Sequence, residues 1–333
     1  MKRNTAIDIG RFFASFMVVC LHTKFPIKLL GPFVADIAKF SVPFFLMTSG
    51  FYLYDVENEK FKTRVKKSIK KLLRILLEAC LVYGALRVLK KYYFDIDISN
   101  QHIRLFEFFA FNDTKFTEHL WYLFAVLYVL IILLVISRAK RLDLFLKLTP
   151  IYILIHVVFC TLSRNYFEDP YLYELNWLVT AMPFISIGLL IRKKKLFESF
   201  KNTYLSRCLI GFVFLIFIEH YLFKLIVGKG PGVLSIFLFS ITLLLFFAKN
   251  PKIFHPKIDN FIADIGKNHA LDIYIYHVLI RNILTLSGAS LALNNSVVIF
   301  LLSLLFSVAL QRVKSGTYSL NKHDKIHKAI PKS

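Results

Sequence analysis

Ten apolar stretches follow one another along this chain, over roughly residues 7–23, 33–55, 72–89, 119–137, 148–163, 175–191, 205–223, 232–248, 270–287 and 295–311. An α-helix rises 1.5 Å per residue, so stretches of this length match a hydrocarbon layer about 30 Å thick, the shorter ones at the lower limit. Composition points the same way. Hydrophobic residues make up 56% and charged residues 19% of the 333, against about 45–50% and about 25% in soluble domains. Apolar surface on this scale cannot be hidden in one water-soluble core. The expected fold is an all-α polytopic membrane protein with about ten transmembrane helices. A disordered chain, a disulfide scaffold and a soluble enzyme are excluded.

The basic residues set the orientation. With the N-terminus inside, the cytoplasmic segments carry 29 Lys and Arg and the outer segments 9. This bias holds loop by loop and predicts both termini in the cytoplasm. The net charge of +22 is therefore a membrane signature, and no basic stripe on a soluble segment points to nucleic acid. The first stretch contains Asp8 and Arg11, which a cleaved secretory segment would exclude, so it reads as a retained helix. One membrane domain is expected over 1–311, followed by a mobile basic cytoplasmic tail over 312–333. The longest outer loop, 90–118, carries Asp95, Asp97 and His102. Cys20, Cys80, Cys160 and Cys208 form no CxxC pair and read as small hydrophobes. No metal-ligand spacing, Gly-rich phosphate loop or Gly-x-Ser-x-Gly element is present.

Charged groups inside spans cost about 2.5–3.5 kcal/mol each on insertion scales, which makes them candidates for function. Arg11 and His22 are eleven residues apart, about 20° from a whole number of turns and about 16 Å apart along the helix axis. Asp8 lies three before Arg11, and Ser15 four after it. One helical stripe thus holds all four, and Asp8 is placed to pair with Arg11. Two readings stand for this stripe: a site, or cationic and histidine residues marking the two interfaces. In the second stretch, Pro43 frees backbone groups in mid-span, while Ser49 and Gly50 allow close helix contact. Lys71, Arg74 and Glu78 open the third, with Arg74 and Glu78 spaced as an ion pair; the alternative is a positive-inside anchor. His119 beside Trp121 and Tyr122, and His277 within Tyr274–Arg281, are further candidates. His156, His220 and Glu219 fit packed, hydrogen-bonded roles.

These elements resemble a known family. Asp8, Arg11 and His22 are similar to the Arg-x10-His signature of the acyltransferase family 3 membrane proteins. Val42 to Phe51 resembles the family's second-helix motif, His119-Leu120-Trp121-Tyr122 its His-Leu-Trp element, and Tyr274-Ile275-Tyr276-His277 its late Ile-Tyr-x-x-His element. They occur in family order over nearly the whole chain. The chain's size is similar to that of the enterobacterial common antigen O-acetyltransferase and of the membrane half of vancomycin-type serine racemases. One departure is Lys71-x-x-Arg74 where many members carry Arg-x-x-Arg; Lys keeps the charge and loses the bidentate fork.

The resemblance implies transfer of an acyl group, usually acetyl, from acyl-CoA to a hydroxyl of a cell-surface polysaccharide or its lipid-linked precursor, in a bacterial inner membrane. Acetyl-CoA is then a donor substrate rather than a bound cofactor. His22 would serve as general base, with Arg11 orienting the donor and Asp8 holding Arg11. Lys71, Arg74, Ser49, His119, Trp121, Tyr274 and His277 would bind substrates. The competing function is a transporter or flippase for a glycan, amino acid or lipid-linked intermediate. No matched pair of Gly/Pro-interrupted spans supports it. A membrane anchor without chemistry would not need the His22 stripe. The sequence carries no signal for oligomeric state.

Overall fold

The computed structural model describes residues 4–94, 105–112, 118–167, 173–226, 233–288 and 295–328; Asp95, Asp97 and His102 of the long outer loop lie outside the described residues. Helices dominate these residues, and the extended structure among them is an isolated bridge between Lys24 and Asn295.

In chain order the helices are α1 (Thr5–His22), α2 (Gly31–Ala38), α3 (Ser41–Leu53), α4 (Asn58–Phe94), α5 (Leu105–Phe111), α6 (Trp121–Arg138) and α7 (Leu142–Lys147). They continue with α8 (Thr149–Tyr166), α9 (Met182–Lys194), α10 (Asn202–Ile226), α11 (Val233–Lys249), α12 (Pro256–Asn268), α13 (Ala270–Leu286) and α14 (Ser296–Lys328). Each of the ten apolar stretches is occupied by helix. Among the described residues, five segments are by length and composition able to cross a membrane: Thr5–His22, Gly31–Leu53, Trp121–Arg138, Asn202–Leu222 and Ser296–Lys314. Thr149–Ser163 and Leu234–Lys249 are shorter apolar helices. The chain is an all-α, multi-pass membrane protein.

Several elements depart from the sequence reading. The second stretch is two helices, because Pro43 has no N–H and its ring crowds the carbonyl four residues back. The break falls there: Lys39 and Phe40 close α2 with tight bonds to Asp36 O and Ile37 O. Helix α4 is 37 residues long, about 56 Å, so its basic first half projects beyond any bilayer core. Helix α12 falls between the apolar stretches 232–248 and 270–287, where the sequence predicts no span. Its Ile258 and Phe261 are exposed while Asp259, Ala263 and Gly266 are buried, a short amphipathic piece without the apolar run that marks a span. The tail read as mobile from 312 continues α14 through Lys328.

Helix α1 is the centre of the bundle and packs on α2, α3, α11, α12, α13 and α14. Asn4 caps it: its side-chain oxygen accepts from Ile7 N at 3.2 Å, and its amide donates to Phe247 O and Ala248 O, each at 3.1 Å. Lipid tails are as apolar as Leu, so helices associate in membranes through close packing at small residues. Two contacts use this device. A Cβ on Gly50 of α3 would lie 2.1 Å from Ile185 O, and one on Gly188 of α9 2.0 Å from Met47 O. A Cβ on Gly266 of α12 would lie 1.9 Å from Asp8 O on α1. Phe44, Phe51, Phe184, Leu46 and Met47 fill the space around the first of these joints.

Candidate active site

Helix α1 carries its polar residues into two separate environments. At its N-terminal end, Asp8 is buried and accepts from Arg11 Nη1 at 3.3 Å, the pair expected from the spacing. Asp8 cancels much of the cost of placing Arg11 inside the bundle and aims the guanidinium sideways. Arg11 faces a cavity of about 650 Å³. Thr48, Ser49 and Tyr52 of α3, Arg64, Lys67 and Lys71 of α4, Tyr122 of α6, Lys267 of α12 and Tyr274 of α13 also line it. Among the described residues no carboxylate lines it. Arg64 is steadied by Asp55 at 2.6 Å and by Tyr54 O at 2.8 Å. The Gly266 joint sets the adjacent Lys267 against α1. This is a cationic recess suited to an anionic ligand arriving from the Lys/Arg-rich side.

At the other end of α1, three histidines meet. The His22 ring is 5.1 Å from that of His277, and His277 is 5.6 Å from His119, centroid to centroid. Backbone carbonyls decide where two of these rings carry their protons. His119 Nε2–H donates to Ile275 O at 3.0 Å. His277 Nδ1–H donates to Tyr274 O at 2.7 Å. His277 Nε2 is therefore an unprotonated acceptor, and among the described residues it is fully buried with no hydrogen-bond partner. Such an atom ordinarily costs on the order of 1–3 kcal/mol, and it lies in the group that contains His22. Among the described residues no group of His, Cys, Asp or Glu has the arrangement of a metal site.

Tyr83 of α4 was not singled out from sequence. Its hydroxyl donates to Ile275 O at 2.6 Å and accepts from Leu279 N at 3.1 Å, entering the hydrogen-bond ladder of α13 where the histidines gather. The usable signal was a tyrosine in mid-span, since a buried phenol needs a partner. Arg281 Nη1 donates to His22 O at 2.8 Å and closes the end of α1.

Tyr274 joins the two environments. Its ring lines the basic cavity, and its hydroxyl donates to His119 O. Tyr122, also in the cavity wall, packs 5.1 Å from it. These two rings stand between the cavity and the histidines.

The remaining candidates are placed as follows. Ser49 and Lys71 line the cavity. Arg74 is exposed and not in the lining. The expected Arg74–Glu78 pair is not formed: Lys314 of α14 holds Glu78 at 2.6 Å, and a contact between helices has taken the place of the local one. Trp121 is half-buried beside Tyr122, in neither the cavity lining nor the histidine group. Ser15 is buried and bonds to Phe12 O of its own helix. His156 bonds to Val179 O at 2.9 Å and His220 to Asp36 at 2.5 Å, both packed roles. His269, Ser307 and Asp272 also form a chain, with bonds of 2.9 and 2.8 Å. There the serine hydroxyl gives its proton to the aspartate, so it is a lock between α13 and α14 and not an activated nucleophile.

The chain matches the acyltransferase domain family described as Acyl_transf_3 over residues 4–312. Two amino-acid racemases of Enterococcus faecalis are similar over shorter segments. One is 33% identical over 129 residues, 36% of this chain and 18% of the racemase. The other is 31% identical over 133 residues, 36% of this chain and 16% of the racemase. The matched segments thus span less than a fifth of these relatives. No solved structure matches the chain. With a family match over nearly its whole length on an all-helical membrane bundle, this chain belongs to acyltransferase family 3.

Proposed function

We propose that this acyltransferase moves an acyl group, acetyl by preference, from acyl-CoA to a hydroxyl of a cell-surface glycan or its lipid-linked precursor. It works in a bacterial inner membrane, with ten spans and both termini cytoplasmic. Residues 1–311 are the catalytic unit and 312–333 a cytoplasmic extension. The observation that carries this reading is the carboxylate-free cavity lined by Arg11, Arg64, Lys67, Lys71 and Lys267, abutting the histidine group through Tyr122 and Tyr274. A donor with phosphates and a long thioester arm suits that plan. The phosphates sit among the cations, and the arm runs inward past the two tyrosines.

In this reading His22 takes the proton of the acceptor hydroxyl as its oxygen attacks the thioester carbonyl. The C–S bond then breaks, and His22 returns the proton to the departing thiolate. Among the described residues no hydrogen bond fixes the His22 ring. His277 Nε2 supplies the missing acceptor: a His22 N–H turned toward it leaves the other His22 nitrogen free as base. Arg11, held by Asp8, anchors the donor. Ser49, Lys71 and Tyr274 contact it along the cavity, Arg74 draws it electrostatically to the mouth, and His119 and Trp121 border the acceptor.

The test uses protein in nanodiscs with acetyl-CoA, following thiol release and acetyl-CoA binding in wild type and His22→Ala. Binding in both, with release confined to wild type, supports the reading. Release that persists in His22→Ala removes His22 as base. Absence of both binding and release removes acyl-CoA as donor.

A further inference from the structure

Two cations at the His22 end have no part in that chemistry. Arg281 of α13 lies one turn beyond His277 and spends one guanidinium nitrogen on His22 O at 2.8 Å. Lys90, near the end of α4, reaches Asn282 Oδ1, the side chain adjacent to Arg281, at 2.7 Å. Both are half-buried. The charge of Arg281 is felt at both His22 and Lys90, so the two cations oppose each other across one small region.

Four other cations of the bundle have counter-charges: Arg11 has Asp8, Lys39 has Asp36, Arg64 has Asp55 and Lys314 has Glu78. Among the described residues, neither Arg281 nor Lys90 has a carboxylate within ion-pair distance. Two half-buried like charges without a counter-charge are unfavourable, and the arrangement is relieved by an anion between them. Arg281 still offers most of a planar donor fork, and Lys90 a compact point charge, the combination that suits phosphate. The same end of α4 exposes Val88, Leu89, Tyr92 and Tyr93. A ligand reaching this place thus arrives along an apolar surface, with its charged group at the rim.

We propose that Arg281 and Lys90 form an anion subsite beside His22 that takes a lipid-borne phosphate, that of the acceptor's own lipid carrier. This rests on the acyl-transfer reading and names its acceptor class. Phosphate held at Arg281 places the attached sugar against His22.

Binding is measured without acetyl-CoA, so failure of acyl transfer and failure of the subsite are read separately. The probes are a polyprenyl-phosphate hexose and the neutral polyprenyl hexoside, titrated into nanodiscs of phosphatidylcholine. The expected result is at least tenfold tighter binding of the phosphate form in wild type. That preference falls several-fold in Lys90→Gln, is restored in Lys90→Arg and is lost in Lys90→Gln/Arg281→Gln. The single Lys90 variant leaves the Arg281 bond to His22 in place but removes the Lys90 bond to Asn282, so rescue by Lys90→Arg, which keeps the charge, separates a charge effect from a folding effect. Equal binding of the two probes to wild type, or an unchanged preference in both Lys90→Gln and the double variant, overturns the subsite. A parallel arm adds phosphatidylglycerol to the discs. Weak competition supports the acceptor carrier as occupant, and competition equal to that of the glycosyl phosphate overturns that assignment in favour of a lipid headgroup.

Discussion

The two ends of α1 solve opposite problems with the same helix. At the Arg11 end the walls are cationic, the cavity is wide, and Lys71 in its lining is exposed. At the His22 end imidazole and phenol rings fill the space, two of the three histidines are tied to backbone carbonyls, and the cations Arg281 and Lys90 stand beside them. Loose, hydrated cations hold a large anion without demanding one geometry. Rings locked by carbonyls keep a fixed proton inventory where water is scarce. On the proposed reading, donor binding and proton transfer are separated along about 16 Å of one helix, with Tyr122 and Tyr274 as the boundary.

The largest effect should come from the base. His22→Ala is expected to lower acyl transfer by at least about 100-fold while acetyl-CoA binding stays within about twofold; equal losses in both would erase the distinction between the ends. At the boundary, Tyr274→Phe keeps the ring in the cavity wall and removes the bond to His119 O. A lost buried bond of about 1–3 kcal/mol predicts a fall in kcat of about 5- to 160-fold with little change in KM. A change confined to KM would assign Tyr274 to the cavity alone.

In the cavity, Lys67→Gln and Lys71→Gln are each expected to raise KM for acetyl-CoA several-fold. They should also flatten its dependence on salt, as loss of a screened surface charge does; a drop in kcat at saturating donor would contradict the separation. The smallest effect is reserved for Ser15→Ala. Ser15 shares the stripe but bonds only to its own helix, so transfer should stay within about twofold and stability within about 1 kcal/mol. A large loss of transfer would extend the site along the middle of α1.

The Asp8–Arg11 pair was legible because both partners sit on one helix, where periodicity alone brings them together. Ser49 and Lys71 in the cavity, and His119 with His277 beside His22, came from individually weak candidates whose convergence no local pattern specifies. Tyr83 was passed over because one tyrosine in an apolar run looks like ordinary packing. The Arg74–Glu78 expectation failed for the converse reason: a good local spacing lost Glu78 to Lys314, more than two hundred residues away in the chain. Helix α12 and the break before Pro43 were missed as elements, one for its mixed composition and the other because Asp36 and Lys39 interrupt the apolar stretch too briefly to divide it.

The sequence alone determined the solvent this chain folds in, the run of helices and the sign of charge between them. These follow from transfer free energies and helical periodicity, which act over a few turns. The tertiary structure decided which helices touch, and so which polar residues share a site. In a bilayer that choice falls to backbones approaching closely at Gly50, Gly188 and Gly266, and to hydrogen bonds such as Tyr83 and His119 on Ile275 O. Hydropathy cannot rank one helix face against another when lipid solvates both equally well.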